Sequence, residues 1–277
     1  MAPPVAIVTG ASRGIGRAIA LRLARSGHSV ALVGRDEAAL KESIRLCEEG
    51  ILLVADTAEA DGSQGEPAAK RARMTAVTDA VHQRFVPVVA DLRGHEEARA
   101  AVEKVVESLG PPSVVVCNAG VLQAASVVDG DPSKWELELD VNVKGTMGTV
   151  RHALPHMLKS TEKVKAAIVI GSTGSRWSWP YGAGYCASKH ALRGFVGSLF
   201  EEVRDKGIKV CIVNPGFTDT DMTSSNPGMI NDKKMRPDDV AHAVECVLQF
   251  PESACPTEML LRPQYSCVDG TFPYTVV

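Results

Sequence analysis

The chain has 277 residues and a formal charge of −3, with 30 basic against 33 acidic side chains. This balance gives no net attraction to polyanions or acidic membranes, so we expect neither a nucleic acid nor a membrane as partner. Hydrophobic residues make up 45% of the chain and charged residues 23%, which excludes a disordered or fibrous protein.

The 7 cysteines are scattered along the chain, without a C-x-x-C pair or a compact Cys/His cluster. This pattern predicts reduced thiols and no metal site. No apolar run reaches the roughly 18 residues of a membrane span. The start of the chain, Met1-Ala2-Pro3-Pro4, lacks a basic-then-apolar signal. We therefore expect a soluble, cytoplasmic protein.

Short β-branched runs alternate with amphipathic stretches along the chain, which predicts a parallel sheet with helices on both faces. Strands are predicted at residues 5–9, 29–34, 85–90, 113–117, 167–171, 209–213 and 258–261. Helices are predicted at 14–26, 37–48 and 96–109, with further helices opened by Asp131-Pro132 and by Arg236-Pro237. Pro155 predicts a kink or an early end of the helix that starts at Asp131-Pro132.

One stretch interrupts the alternation, because about 35 residues separate the helix at 37–48 from the strand at Phe85, far more than a usual connection. It contains loop chemistry at residues 61–67 and a basic cluster at residues 70–73. We interpret residues 50–83 as a loop inserted into a single domain that spans 1–277. The basic cluster is most simply solvated, and a localisation signal or an anion site is the alternative.

The turn after the first predicted strand is rich in glycine. Gly10, Gly14 and Gly16 are spaced G-x-x-x-G-x-G, and Ala11, Ser12, Arg13 and Ile15 fill the positions between them. Glycine permits a tight bend and lets the backbone approach a pyrophosphate, which the N-terminus of the following helix attracts. The turn predicts a dinucleotide site. A purely structural turn is the alternative, since the spacing differs from G-x-G-x-x-G.

The end of the second predicted strand indicates which dinucleotide binds. An NAD-binding chain carries an acidic residue there, whereas this chain has Val33-Gly34-Arg35. Arg35 and Arg13 can bind a 2′-phosphate through charge-assisted hydrogen bonds, which favours NADP(H). The neighbouring Asp36 leaves NAD open.

A tyrosine and a lysine, Tyr185 and Lys189, stand four residues apart and share one face of a helix. An ammonium group beside a phenol favours the phenolate, so we expect Lys189 to lower the pKa of Tyr185 and bring its proton within range of acid/base chemistry. The Y-x-x-x-K pattern is common, and its meaning depends on the motifs around it.

Together these motifs resemble the short-chain dehydrogenase/reductase family, of the single-domain type, from about residue 5 to residue 262. The matching positions, in chain order, are Thr9-Gly10-x-x-x-Gly14-x-Gly16, Asp91, Asn118-Ala119-Gly120, Asn142, Ser172, Tyr185-x-x-x-Lys189 and Pro215-Gly216. The resemblance implies a Rossmann fold, an α/β doubly wound sheet of seven parallel strands, with the site at the carboxyl ends of the strands.

The resemblance also implies roles for these residues. Tyr185 would be the general acid/base that protonates a carbonyl oxygen, and Ser172 would donate a hydrogen bond to the same oxygen. Lys189 would lower the pKa of Tyr185 and bind the nicotinamide ribose, and Asn142 would hold a water that relays protons. Asp91 and Leu92 would lie beside the adenine. Asn118, Ala119 and Gly120 would lie along the cofactor, and Pro215, Gly216, Thr218 and Thr220 around the nicotinamide amide.

The substrate is predicted less narrowly. Trp177, Trp179 and Tyr181 lie in the loop that walls the substrate pocket in the family, and aromatic walls suit a hydrophobic or acyl-chain substrate, although packing on neighbouring loops or on a subunit is the alternative. The motifs are similar to those of 3-oxoacyl carrier-protein reductases, whereas the end at 258–264 is more like members that act on hydroxy acids, steroids or other carbonyls.

Two other kinds of function remain open from the sequence. The chain could be a catalytically idle scaffold or NADPH sensor, or it could bind nucleic acid through the cluster at 70–73, which the net charge disfavours. The resemblance further implies a homotetramer or dimer, built by the helices that follow Asp131 and Tyr185. On the second of these, Leu192, Phe195, Val196 and Leu199 fit either a core or an interface.

Overall fold

The computed structural model describes residues 2–60, 83–224 and 228–269, without the side chains of residues 52–60. One parallel sheet of 7 strands runs through the protein in the order β3-β2-β1-β4-β5-β6-β7. The strands are β1 (Val5–Thr9), β2 (Ser29–Gly34), β3 (Phe85–Val89), β4 (Val114–Cys117), β5 (Lys165–Ile170), β6 (Ile208–Pro215) and β7 (Glu258–Leu261). Each strand starts and ends within a few residues of its predicted bounds, and the predicted doubly wound α/β fold is confirmed.

Helices cover both faces of the sheet. They are α1 (Gly14–Arg25), α2 (Glu37–Ala60), α3 (His95–Leu109), α4 (Pro132–Glu138), α5 (Gly145–Met157), α6 (Ala183–Val203), the short α7 (Asp221–Ser224) and α8 (Pro237–Gln249). The prediction that the second helix ends at residue 48 is wrong, because α2 continues to Ala60. The first part of the predicted insertion is therefore helical. The rest of it, including the basic cluster at 70–73, lies outside the described residues.

The alternation of side chains along β1 builds two cores. Val5 and Ile7 join the core that α3, α5 and α6 cover, whereas Ala6 and Val8 join the core under α1 and α8. Since helices cover both faces, all five residues of β1 are buried, as the continuous apolar run predicts. Because all strands are parallel, the carboxyl ends of the central strands lie next to one another at one end of the sheet.

The helix that Asp131-Pro132 opens has an internal irregularity. Asp131 caps α4 by accepting a hydrogen bond from the Ser133 amide at 2.9 Å, as predicted. A single π-helical turn, Leu139–Lys144, then joins α4 to α5. Pro155 lies inside α5, which ends two residues later at Met157, so the helix does end early. The π-turn had no signal in the sequence, and it places Asn142 in the interior.

All 7 cysteines are free thiols, in agreement with the prediction. Within the ranges 2–60, 83–224 and 228–269, no helix is both long enough and apolar enough to cross a bilayer.

Candidate active site

The β1–α1 turn has the geometry of a tight glycine turn. Gly10 and Gly14 have φ of 65° and 56°, in the left-handed region that favours glycine. A side chain on Gly16 would overlap the Gly10 carbonyl oxygen. The backbone of this turn is therefore held close on itself, and larger residues at these three positions would push it apart.

The N-terminus of α1 is open to an anion. Its N-cap residue, Arg13, makes no side-chain hydrogen bond to the helix, so the first amide groups have no side-chain acceptor. Arg13 instead forms an exposed ion pair with Asp221, with Nη1 and Oδ2 2.8 Å apart. Exposed pairs of this kind are weak and exchange readily for another anion. The turn fits the pyrophosphate of a dinucleotide.

The residues at the end of β2 fit a further negative charge. Arg35 is exposed and forms no ion pair with any described residue. The Asp36 carboxylate is used elsewhere, because its Oδ1 accepts a hydrogen bond from the Ala39 amide at 3.0 Å and so caps α2. The Ser12 hydroxyl lies against Gly34, 2.6 Å from where a β-carbon would be. This strand end therefore presents a cation and a hydroxyl rather than a carboxylate.

The ends of β1 and β4 are joined by hydrogen bonds from the Asn118-Ala119-Gly120 segment. The Thr9 hydroxyl accepts the amides of Asn118 and Ala119, both at 3.0 Å. The Asn118 Nδ2 group donates to the carbonyl oxygens of Thr9 and Gly10 at 3.1 and 3.2 Å. These bonds fix the segment against the glycine turn. The role of Thr9, the last residue of β1, in holding this segment was not predicted from the sequence.

Asp91 and Leu92 lie after β3, beside the predicted adenine position. The Asp91 carboxylate pairs with Arg93, with Oδ2 and Nη2 2.7 Å apart, and this bond lowers the pKa of Asp91. Leu92 is buried, and its carbonyl oxygen lies 2.8 Å from where Gly145 would carry a β-carbon. The close approach ties this loop to the start of α5.

Ser172, Tyr185 and Lys189 come together at the carboxyl end of β5, and all three are buried. Ser172 hydrogen-bonds Tyr185 and lowers its pKa, but burial has the larger effect and raises the pKa of Tyr185 to about 12. The Lys189 ammonium lies 5.5 Å from the centre of the Tyr185 ring and donates to the Ile170 carbonyl oxygen at 3.0 Å. Burial lowers the pKa of Lys189 to about 8.

The pKa of Tyr185 is raised here, whereas the sequence predicted that Lys189 lowers it. Lys189 is not among the groups that lower the pKa of Tyr185 here, and desolvation outweighs the bond from Ser172. A phenol with a raised pKa keeps its proton at neutral pH. In this state of the site, the Tyr185 phenol is therefore protonated at neutral pH.

Asn142 connects the π-turn with the segment after β4 and with α6. Its Oδ1 accepts the Val121 amide at 2.8 Å, and its Nδ2 donates to the Val121 carbonyl oxygen and to the Ser188 hydroxyl, both at 3.0 Å. The Ser188 hydroxyl in turn donates to the Tyr185 carbonyl oxygen at 2.7 Å. Asn142 thus supports the backbone of Tyr185 through Ser188. It also lies near Lys189, because a β-carbon on Gly120 would be 3.2 Å from the Asn142 Oδ1 atom and 3.7 Å from the Lys189 Nζ atom.

A buried asparagine that sequence reasoning missed positions Ser172. Asn214 accepts the Ser172 amide and the Ser175 hydroxyl through its Oδ1, both at 3.0 Å, and its Nδ2 donates to Glu258 at 2.8 Å. Glu258 also binds Arg176, with Oε2 and Nη2 2.8 Å apart. The sequence did contain a signal for Asn214. It is a polar residue near the end of an otherwise apolar strand, directly before the Pro215-Gly216 motif.

The predicted pocket aromatics differ in their surroundings. Trp179 packs against Tyr185, with ring centres 5.8 Å apart, and lies 2.9 Å from where Gly174 would carry a β-carbon. Trp177 is 37% exposed and lies under the Arg262 guanidinium, 5.6 Å from the ring centre. Tyr181 is 54% exposed and has a φ of 64°. Of the three, Trp179 lies directly beside the phenol.

The segment after β6 closes the site from the other side. Gly216 donates its amide to the Leu261 carbonyl oxygen at 2.8 Å, and the buried Thr218 donates to the Gly216 carbonyl oxygen at 3.1 Å. The Thr220 methyl group lies 3.2 Å from where Gly14 would carry a β-carbon, so this segment meets the glycine turn. Further on, the Ile230 amide donates to the Cys267 carbonyl oxygen at 2.8 Å, which holds residues 267–269 near this segment.

Comparison with known proteins gives a consistent assignment. The chain matches the short chain dehydrogenase family over residues 4–73 and 62–230. It is 31% identical over 261 residues to an uncharacterized oxidoreductase of Staphylococcus saprophyticus, covering 94% of this chain and 97% of the relative. Uncharacterized oxidoreductases of Staphylococcus epidermidis, at 28% identity, also match 94% of the chain.

Solved structures match over nearly the whole length. An alcohol dehydrogenase from the archaeon Thermococcus sibiricus, complexed with 5-hydroxy-NADP, is 28% identical, with a TM-score of 0.76 over 96% of this chain and 99% of that chain. An acetoin dehydrogenase from Salmonella typhimurium, at 23% identity and a TM-score of 0.75 over 99% of this chain and 100% of that chain, shares the fold. The chain belongs to the short-chain dehydrogenase family and is an oxidoreductase of that family.

Proposed function

We propose that the protein reduces a ketone or other carbonyl to an alcohol with NADPH, and that Tyr185 gives the proton. The observation that carries this proposal is the buried Tyr185 phenol beside Ser172 and Lys189, at the carboxyl end of β5. Bound NADPH supplies the hydride for the carbonyl carbon.

The proton chemistry follows from the surroundings of Tyr185. A proton donor must hold its proton until the carbonyl oxygen gains negative charge, and burial of Tyr185 ensures this at neutral pH. The Ser172 hydroxyl has a single proton to donate. It can stabilise negative charge on the substrate oxygen before the proton is transferred, and the Tyr185 phenolate afterwards. This arrangement favours reduction at neutral pH and alcohol oxidation at high pH.

Lys189 and Asn142 complete the proposed set. With a pKa lowered to about 8, the Lys189 ammonium can lose and regain a proton near neutral pH, which suits a group that resupplies Tyr185. Asn142 holds Val121 and Ser188, and through Ser188 the backbone of Tyr185. We propose that Asn142 also holds the water that relays protons outward from Lys189.

The cofactor proposal rests on the end of β2. Arg35 is exposed without an ion pair, and Asp36 caps α2 instead of facing a ribose hydroxyl. The archaeal alcohol dehydrogenase that resembles this chain was solved with an NADP derivative, which agrees with this choice. Arg13, once released from Asp221, is the second candidate for the 2′-phosphate.

The substrate proposed first is a 3-oxoacyl thioester or a similar ketone, and the alternatives are hydroxysteroids, hydroxy acids and general carbonyl compounds. Trp179 beside Tyr185 supports an apolar group next to the reacting carbon. The similarity to an alcohol dehydrogenase supports the broader carbonyl class.

A substrate panel with both cofactors tests this function. Purified protein is assayed with 3-oxoacyl thioesters, steroids, quinones and small diketones, with NADPH and with NADH. We expect turnover with NADPH, and an increase of about 10-fold or more in the KM for NADPH on Arg35→Ala, since a charge-assisted hydrogen bond contributes about 1.5–3 kcal/mol. Arg45→Ala, which changes an exposed arginine of α2 away from the proposed assembly helices, is the control. Absence of turnover across the panel would instead favour a non-catalytic NADPH-binding protein.

The proposed assembly is a homotetramer or dimer formed through α4, α5 and α6. On α6, Leu192, Val196 and Leu199 are buried in the core of the subunit, so they belong to the core rather than to an interface. A contact through α6 would use its opposite, exposed face, where a β-carbon on Gly194 or Gly197 would meet no atom within 4 Å. Light scattering of the purified protein gives the state directly, and a monomer would refute the proposal.

A further inference from the structure

A buried carboxyl group lies behind the proposed proton donor. Glu138, the last residue of α4, is 0% exposed. Its Oε1 accepts the Gln123 amide at 2.7 Å. Its Oε2 has no hydrogen-bond partner among the described residues, and neither has the Nε1 of Trp135, one helical turn earlier. Within the described chain, Glu138 forms no ion pair.

The contacts of Glu138 lead directly to Tyr185. A side chain on Gly184 would overlap the Glu138 Oε2 atom, and it would lie 2.7 Å from the Cδ1 atom of Trp135. Glycine at this position lets the first turn of α6 approach the end of α4. Because Gly184 immediately precedes Tyr185, the carboxyl group packs against the backbone that carries the phenol.

The same contact couples two titrations. Burial raises the pKa of Glu138, and the Gln123 bond opposes this with a smaller effect. When it is ionised, Glu138 raises the pKa of Tyr185 and of the thiol of Cys186, the two titratable groups that face it from α6. From the segment after β4 it meets the Gln123 amide, and on its own helix Lys134 binds the Ala124 carbonyl oxygen at 3.3 Å.

We propose that Glu138 is a positioning residue for Tyr185: its carboxyl group holds the Gln123 amide and packs, without a hydrogen bond of its Oε2 atom, against the first turn of α6. The proposal rests on the proposed role of Tyr185 as proton donor. As the pH rises and Glu138 loses its proton to solvent, Tyr185 holds its own proton more firmly. Reduction, which needs the protonated phenol, then extends to higher pH. Alcohol oxidation, which needs the phenolate, begins only at higher pH.

Ultraviolet titration of the phenol tests the coupling without turnover. The cofactor-free wild type and Glu138→Gln are each titrated with and without the additional change Tyr185→Phe. In each case the difference between the two titration curves is the signal of Tyr185. Glutamine keeps the shape and the acceptor for the Gln123 amide but carries no charge. We expect the midpoint of Tyr185 to fall by about 0.5–1.5 pH units in Glu138→Gln. Glu136→Gln, an exposed change two residues away, should leave the midpoint unchanged.

Kinetics and infrared spectroscopy complete the test. The acid limb of the pH profile for alcohol oxidation should move to lower pH in Glu138→Gln, by the same amount as the midpoint. If that variant does not fold, infrared titration of the wild type decides. The band of a protonated, buried carboxyl should disappear at a pH below the Tyr185 midpoint, and a carboxyl that stays protonated beyond that midpoint overturns the proposal. An unchanged Tyr185 midpoint in folded Glu138→Gln also overturns it. Turnover retained by Tyr185→Phe would instead defeat the proposed function.

Discussion

Removal of the Asn214 amide should both destabilise the protein and slow its chemistry. Asn214 is 0% exposed and holds the Ser172 amide and the Ser175 hydroxyl through one oxygen atom. In Asn214→Ala these two buried donors lose their acceptor. The Glu258 carboxylate loses one donor but keeps its bond to Arg176.

The size of the effect follows from these contacts. Each buried group left without a partner costs about 1–3 kcal/mol, so two such groups predict a loss of about 2–6 kcal/mol in the free energy of unfolding. For a chain of this length, that corresponds to melting about 5–20 °C lower. Ser172 also loses the bond that fixes its backbone, and displacement of a positioned group by about 1 Å can cost roughly 100-fold in rate.

Urea unfolding and steady-state kinetics measure the two effects separately. Asn231→Ala, which removes an exposed amide, is the matched control and should change neither quantity. Asn214→Asp adds a further test, because it keeps the shape but places a carboxylate against Glu258, and it should also be destabilised. If Asn214→Ala lost under about 0.5 kcal/mol and kept its kcat, the reasoning that Asn214 positions Ser172 would be refuted.

Three further changes test the account of the fold and of the site. Asp131→Ala removes the cap of α4 and should cost about 1 kcal/mol in urea unfolding, whereas no loss would show that the cap bond to Ser133 is not stabilising. Leu192→Ala empties a core position that is 1% exposed and should cost about 2–5 kcal/mol, and a change in oligomeric state without such a loss would contradict its place in the core. Burial lowers the pKa of Lys189 to about 8 from 10.5, so between these values only the unfolded chain binds the proton. The unfolding free energy of the cofactor-free wild type should therefore rise with pH across this window relative to Lys189→Met, and a difference that does not vary with pH would contradict the lowered pKa.

The sequence predicted the sheet well, because its five central strands are buried on both faces and read as mostly apolar runs, whereas the edge strands β3 and β7 are only partly buried. The second helix was predicted less well. Its continuation through Gly50 to Ala60 is possible because glycine costs only about 1 kcal/mol relative to alanine inside a helix, so this residue does not force an end. The π-turn at Leu139–Lys144 was not predicted, because no local residue signal marks it in the sequence; in the fold it carries the buried Asn142.

At the site, the sequence predicted which side chains come together but not the interactions around them. Ser172, Tyr185 and Lys189 were predicted from motif order, and the fold brings them together. The pKa of Tyr185 was predicted in the wrong direction, because the lysine four residues away is visible in the sequence whereas burial of the phenol is not. Glu138 was missed for a similar reason, since only the fold places Gly184 against it.

The central claim is that the Tyr185 phenol gives the proton in carbonyl reduction by NADPH. The most direct measurement compares wild type and Tyr185→Phe for NADPH binding, by nucleotide fluorescence, and for single-turnover reduction of a carbonyl that the wild type accepts. Phenylalanine keeps the ring that packs against Trp179, so binding should be unchanged. We expect Tyr185→Phe to bind NADPH as the wild type does and to lose nearly all reduction, whereas reduction at the wild-type rate would contradict the account.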